Sequence, residues 1–91
     1  MKVTLADIQN AQAVLAGVIR PTEVDKSYSA SQRVGTEVFF KYENTQFTGS
    51  FKLRGAYNKI HSLSQEEKSR GVVASSAGNH AQGVAFSAQK A

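Results

Sequence analysis

Only two stretches of this 91-residue chain read as β-strand, and that is the tightest limit on what it can fold into. Thr36 to Glu43 (TEVFFKYE) places Val38, Phe40 and Tyr42 on one face and Phe39 and Lys41 on the other. Apolar groups on both faces predict a largely buried strand, with its aromatics in the core. The second stretch, Val72-Val73-Ala74, is a short apolar run that follows Gly71. With helical patterns between and after them, the order reads as the start of an α/β unit: a parallel pair of strands joined by a right-handed crossover. Two strands do not close an α/β core, so the expectation is a piece of a longer fold.

The helical segments announce themselves through caps and stripes. Thr4 with Asp7 resembles a capping box, and Leu5, Ile8, Leu15 and Val18 recur at helical spacing from Thr4 to about Val18. Arg20-Pro21 should end that helix, and the polar stretch on to Gly35 reads as loop. After a polar connection over Asn44 to Gly49, Ser50 is a suitable N-cap for a helix with Leu53, Ala56, Ile60 and Leu63 on one stripe. Ser64 and Glu67 repeat the capping-box pattern before a short helix that should stop at Gly71. Ser75 to Asn79 reads as a tight turn into a last helix, His80 to Lys90, with Val84, Ala85 and Ala88 inward.

Composition then removes whole classes of function. A chain of this length forms one small domain, without room for an interdomain cleft of its own. Zero cysteines exclude disulfide scaffolds, thiolate zinc sites and cysteine nucleophiles, and His61 and His80 have no metal-ligand spacing, so no metal is expected. Eleven Lys and Arg against seven Asp and Glu leave a net charge of +4, with the basic residues scattered. A nucleic-acid binder would concentrate them with interleaved aromatics, so a small anionic molecule is the better partner. No segment is apolar enough to span a membrane, and Asp7 interrupts any signal-peptide core, which predicts a cytoplasmic chain.

Two segments could carry chemistry. In Thr48-Gly49-Ser50-Phe51-Lys52-Leu53-Arg54-Gly55-Ala56, a lysine falls in the first turn of a predicted helix. The macrodipole disfavours a cation there by about 0.3–1 kcal/mol, and only a neutral amine is nucleophilic. The plainer alternative is that Lys52 points into solvent. Ser75-Ser76-Ala77-Gly78-Asn79-His80-Ala81-Gln82-Gly83 is the other: small residues let a ligand approach the backbone, and free N–H groups at a helix start receive a carboxylate or phosphate. Gly78 and Gly83 have the spacing of a nucleotide-binding P-loop, but Val84-Ala85 stand where Lys and Ser/Thr are required. A tight turn needing a glycine, with His80 merely on the surface, is the alternative reading here.

Together the two segments say more. TGSFKLRGA followed by SSAGNHAQG closely resembles the N-terminal part of the threonine dehydratases (threonine ammonia-lyases), pyridoxal-phosphate enzymes of the tryptophan-synthase-β fold type. The resemblance runs through KYENTQFTGSFK and GVVASSAGNHAQGV and covers nearly the whole chain. Serine racemases and hydroxyaspartate dehydratases share the framework, and Ala77 looks more like the dehydratase form. The resemblance implies pyridoxal 5'-phosphate as cofactor, held by Lys52, which would also remove the substrate Cα proton. It implies that Asn79 hydrogen-bonds the cofactor ring hydroxyl and that Phe51 walls the cofactor. Ser76, Ala77, Gly78, Asn79 and His80 would receive the substrate carboxylate. The product from threonine would be 2-oxobutanoate with ammonia, and serine is the other candidate substrate.

The same resemblance assigns about residues 1–48 to a large domain and about 49–91 to the start of a small one, and it implies a homo-oligomer. It places the cofactor's phosphate loop and ring-nitrogen partner outside these 91 residues, so the chain alone is expected to be inactive. Two other classes stand beside this: a non-catalytic product that self-associates or pairs with a longer homologue through exposed strand edges, and a small basic nucleic-acid-binding domain.

Overall fold

The computed structural model describes residues 2–76 and 78–91. In chain order the elements are α1 (Leu5–Leu15), β1 (Val24–Lys26), α2 (Tyr28–Val34), β2 (Phe39–Lys41), a 3-10 turn at Glu43–Thr45, α3 (Lys52–His61), α4 (Gln65–Ser69) and α5 (Asn79–Lys90).

Both capping boxes form. Thr4 Oγ1 accepts the Asp7 amide at 3.1 Å while Asp7 Oδ2 accepts the Thr4 amide at 2.8 Å, and Ser64 with Glu67 repeats the arrangement at 3.1 and 2.8 Å. These bonds stabilise the ionised carboxylates and hold Asp7 and Glu67 below the ordinary range. Helix α1 stops at Leu15, earlier than the proline predicts. Gly17 takes φ 79°, a left-handed conformation that ends the helix before Arg20-Pro21 is reached.

The core lies where α3 packs on α5, with α1 alongside. Leu53, Ala56, Tyr57 and Ile60 are its buried face on α3, and Leu15 joins them from α1. The predicted α3 stripe therefore holds, with Leu63 half-buried at its end. The phase of α5 differs from expectation: Gly83 and Ser87 face inward, Val84 is half-buried, and Ala85 and Ala88 are exposed. Two small residues at i and i+4 give the closest approach of two helices, and that contact sets the rotation of α5.

The sheet corrects the sequence reading most. Strand β2 pairs antiparallel with β1, in the register Val24↔Lys41, Asp25↔Phe40 and Lys26↔Phe39. Residues 24–34, read as loop, thus hold a strand and also a helix, α2, whose N-cap Ser27 accepts the Ala30 amide at 3.1 Å. No face of the β1–β2 ribbon is packed into the core: all three β2 residues are exposed, Phe39 at 54% and Phe40 at 48%. Val72 to Ala74 joins no sheet among the described residues, and Val73 is 99% exposed. The expected parallel pair is therefore absent among the described residues. Exposure of this kind has a measurable size. The accessible surface is 6878 Å², against about 5,200 Å² expected of a folded monomer of this mass. The radius of gyration, 15.7 Å, likewise exceeds the roughly 12 Å of a compact domain of this length.

Candidate active site

The loop before α3 is tied down at two points. Gln46, 4% exposed, mimics a backbone pairing: its Oε1 accepts the Arg20 amide at 3.0 Å and its Nε2 donates to the Arg20 carbonyl at 2.9 Å. Arg20 also lies over the Phe47 ring, 4.6 Å from its centroid, and Phe47 stacks on Phe86 of α5 at 5.8 Å. The second tie is Glu43. Its Oε1 accepts Arg54 Nε at 2.6 Å, and its Oε2 accepts Arg54 Nη2 at 3.0 Å and Thr22 Oγ1 at 2.5 Å. Between these ties, Gly49 adopts φ 80°, a turn that admits few other residues, and the chain enters α3.

Lys52 is the first residue of α3 and is exposed. Among the described residues it makes no ion pair, and its Nζ stands 5.6 Å over the ring of Phe51, itself 61% exposed. Ser50, the predicted N-cap, offers only a long contact of 3.4 Å to the Lys52 amide, and the N-cap residue Phe51 makes no side-chain cap bond. Arg54, two positions on, is committed to Glu43.

Helix α5 begins close by, because Gly83 lets it. A Cβ at Gly83 would lie 3.2 Å from Leu53 N, 3.2 Å from Lys52 C and 3.3 Å from Lys52 O. Asn79 is four residues earlier on the same face of α5, one turn toward the start of that helix. Asn79 and His80 are exposed in the first turn of α5, which has no side-chain cap bond. Gly78 is half-buried as the N-cap residue, and Ser76 is exposed, its Oγ accepting the Gly78 amide at 3.2 Å. Ala77 lies outside the described residues. The structure thus brings α5, at Gly83, against the start of α3, two segments that sequence spacing alone left apart. A groove of about 1010 Å³ between α1 and α3, lined by Ile8, Leu15, Ile19, Arg20, Arg54 and Asn58 among others, includes neither Lys52 nor Asn79.

A protein-family profile described as "Pyridoxal-phosphate dependent enzyme" matches residues 15–91. The chain belongs to that family. Within the pyridoxal-phosphate-dependent enzymes it is 58% identical to the L-threonine ammonia-lyase of Thermotoga maritima over 87 residues, 96% of this chain and 22% of that protein. Among solved structures it superposes on maize serine racemase with a TM-score of 0.85 and 42% identity, covering 99% of this chain and 28% of that one. On the T.th. threonine deaminase the TM-score is 0.79 with 38% identity, covering 97% and 31%. The chain thus spans under a third of each relative's length.

The residues present suit part of such a cofactor's needs. An amine without an acidic partner is available to a carbonyl carbon, and uncapped N–H groups at a helix start suit an anion. Among the described residues no group of three or more His, Asp or Glu is arranged to hold a metal ion, and no helix is long and apolar enough to cross a membrane.

Glu43 and Gln46 escaped sequence reasoning, as did the packing role of Gly83. Glu43 and Arg54 are opposite charges that bracket the loop before α3, and that was the available signal. The Arg54 guanidinium holds the Glu43 carboxyl down from its ordinary 4.5 to about 2, against the upward push of burial, with help from the Thr22 hydroxyl and the Lys41 charge. A depressed carboxylate contributes stability above its unfolded value, and that contribution fades as pH falls from about 4.5 toward 2. Glu43→Gln is therefore expected to cost about 1–2 kcal/mol at neutral pH, the scale of a charged hydrogen bond discounted for partial exposure. It should also flatten the pH dependence across that acid window. Urea melts of both chains at neutral pH and through the window check this.

Proposed function

We propose that these residues furnish the lysine and the carboxylate-binding turn of a pyridoxal-phosphate-dependent dehydratase that converts L-threonine, with L-serine as a second substrate, to a 2-oxo acid and ammonia. The observation that carries the reading is the contact of Gly83 with the Lys52–Leu53 backbone, which gathers both segments at one place. The similarity to a threonine ammonia-lyase supports the choice of reaction.

Pyridoxal phosphate, when bound, supplies an electron sink for the carbon that loses its proton. Lys52 would hold it through Nζ, and the same atom would accept the Cα proton of the substrate. Asn79, in the first turn of α5, would hydrogen-bond the ring hydroxyl, and Phe51, beside the lysine, would wall the cofactor. The N–H groups from Gly78 to His80, with Ser76 and Ala77 preceding them, bind the substrate carboxylate at the positive end of the helix dipole.

The test joins these 91 residues to the remainder of the Thermotoga threonine ammonia-lyase. The chimaera is expected to release 2-oxobutanoate and ammonia from L-threonine, and the 91 residues alone to release none. A folded, cofactor-loaded chimaera without 2-oxo acid formation contradicts the proposal. A second reading, serine racemisation, draws on the closer superposition with serine racemase than with threonine deaminase. D-serine forming from L-serine faster than pyruvate would favour it.

A further inference from the structure

The helix that carries Lys52 starts without the usual device. Its N-cap residue, Phe51, is in the αR conformation with φ −71° and makes no side-chain cap bond, and Ser50 reaches the Lys52 amide only at 3.4 Å. A helix start so weakly capped frays, and the first residue is the one whose direction fraying blurs most. Two positions further on, Arg54 is held in a planar fork by both oxygens of Glu43, at 2.6 and 3.0 Å. Thr22 closes the same carboxylate from a third segment, and Lys41 Nζ reaches the Thr22 carbonyl at 3.3 Å. The Glu43 side chain is 12% exposed and that of Arg54 32%, so this is no freely solvated surface pair.

Residues two apart on a helix point about 200° from one another, so Arg54 is drawn away from the side on which Lys52 projects. The clasp therefore fixes the rotation of the first turn without touching the amine. On another flank, Gly83 of α5 rests against the carbonyl of Lys52. Between these two restraints the Cα–Cβ direction of Lys52 has little freedom left.

We infer that Glu43, acting through Arg54 and braced by Thr22, is a positioning residue that takes the place of an N-cap and aims Lys52 at its carbonyl partner. The inference rests on the proposed role of Lys52 as the cofactor lysine. It assigns Arg54 a structural task within the chain and not contact with an anionic ligand.

The test is competitive labelling of the 91-residue chain with pyridoxal phosphate followed by borohydride reduction, read by peptide mass spectrometry as the ratio of adduct at Lys52 to adduct at Lys59. Lys59 lies on the same helix and is likewise exposed to reagent, so it serves as the internal reference. The native chain should favour Lys52. Glu43→Gln should lower the ratio about fivefold, the factor carried by one typical hydrogen bond, with unchanged helical circular dichroism. Arg54→Lys, which keeps the charge and loses the fork, should lower it as well. Adding sucrose restores stability without restoring the fork, so the ratio in Glu43→Gln should stay low. Recovery of the ratio in sucrose would reduce Glu43 to general stabilisation and overturn the proposal, as would an unchanged ratio in the folded variant. If Glu43→Gln does not fold, Thr22→Val, which removes one contact of the three, decides by the same criterion. A native ratio near one would instead defeat the reading of Lys52 itself, a result distinct from the others.

Discussion

Replacing Lys52 by alanine in the chimaera is expected to abolish threonine turnover. The same nitrogen is asked to do two things there, holding the cofactor and taking the Cα proton, and no second amine shares its position. Among the described residues the only ion pair is that of Arg54 with Glu43, so the guanidinium nearest in sequence is already occupied. A positioned base alone supplies about 10²–10⁴-fold of rate, and loss of the covalent tether adds to this, so the fall should exceed that range. A small primary amine added to the solution can enter the space the side chain vacates. Partial rescue by methylamine, rising with pH as more of it is neutral, is expected for Lys52→Ala and absent from the native chimaera. Activity in the alanine variant without added amine would remove Lys52 from the reaction.

The second large effect falls on Gly83. A methyl group there meets three backbone atoms at 3.2–3.3 Å, and backbone does not step aside as a flexible side chain would. Two terms compete in Gly83→Ala: the helix gains about 0.5–1 kcal/mol from lost chain entropy, and overpacking costs about 1–3 kcal/mol. Overpacking wins, so Gly83→Ala should destabilise, and Gly83→Val, with two further methyls, should separate α5 from α3 altogether. Gly55 supplies the contrast. It lies within α3, and a Cβ added there would meet nothing within 4 Å, so Gly55→Ala should stabilise by about 0.5–1 kcal/mol. Thermal melts of the three variants give the signs directly. A stabilising Gly83→Ala would mean that α5 does not rest on the Lys52 backbone.

How much of this was readable in the sequence depends on the range of the interactions. Thr4 with Asp7 and Ser64 with Glu67 are separated by three residues, so both caps could be read and both formed. The α3 stripe of Leu53, Ala56 and Ile60 repeats at helical spacing and was equally legible. The β1–β2 ribbon was not, because Val24–Lys26 is three residues long and becomes a strand only by pairing across α2 with Phe39–Lys41. Nor did periodicity reveal that Phe39 and Phe40 are exposed: alternation says which residues share a face, and what covers that face is decided by elements elsewhere. The inward face of α5 was misjudged for a related reason, since Gly83 and Ser87 are there for closeness to α3 and carry no hydrophobic signal. At the candidate site, Lys52 and the turn from Ser76 to His80 stood out by residue type. Their convergence, and the Glu43–Arg54 clasp, are tertiary facts.

The central claim is that Lys52 is the one lysine presented to the cofactor. Reduction of the pyridoxal-phosphate-loaded chimaera with borohydride, followed by peptide mapping, tests it most directly. Within residues 1–91 the expected result is a single reduced adduct, at Lys52. An adduct at Lys41 or Lys59 in comparable yield, or a Lys52 peptide recovered unmodified from fully loaded protein, would contradict it.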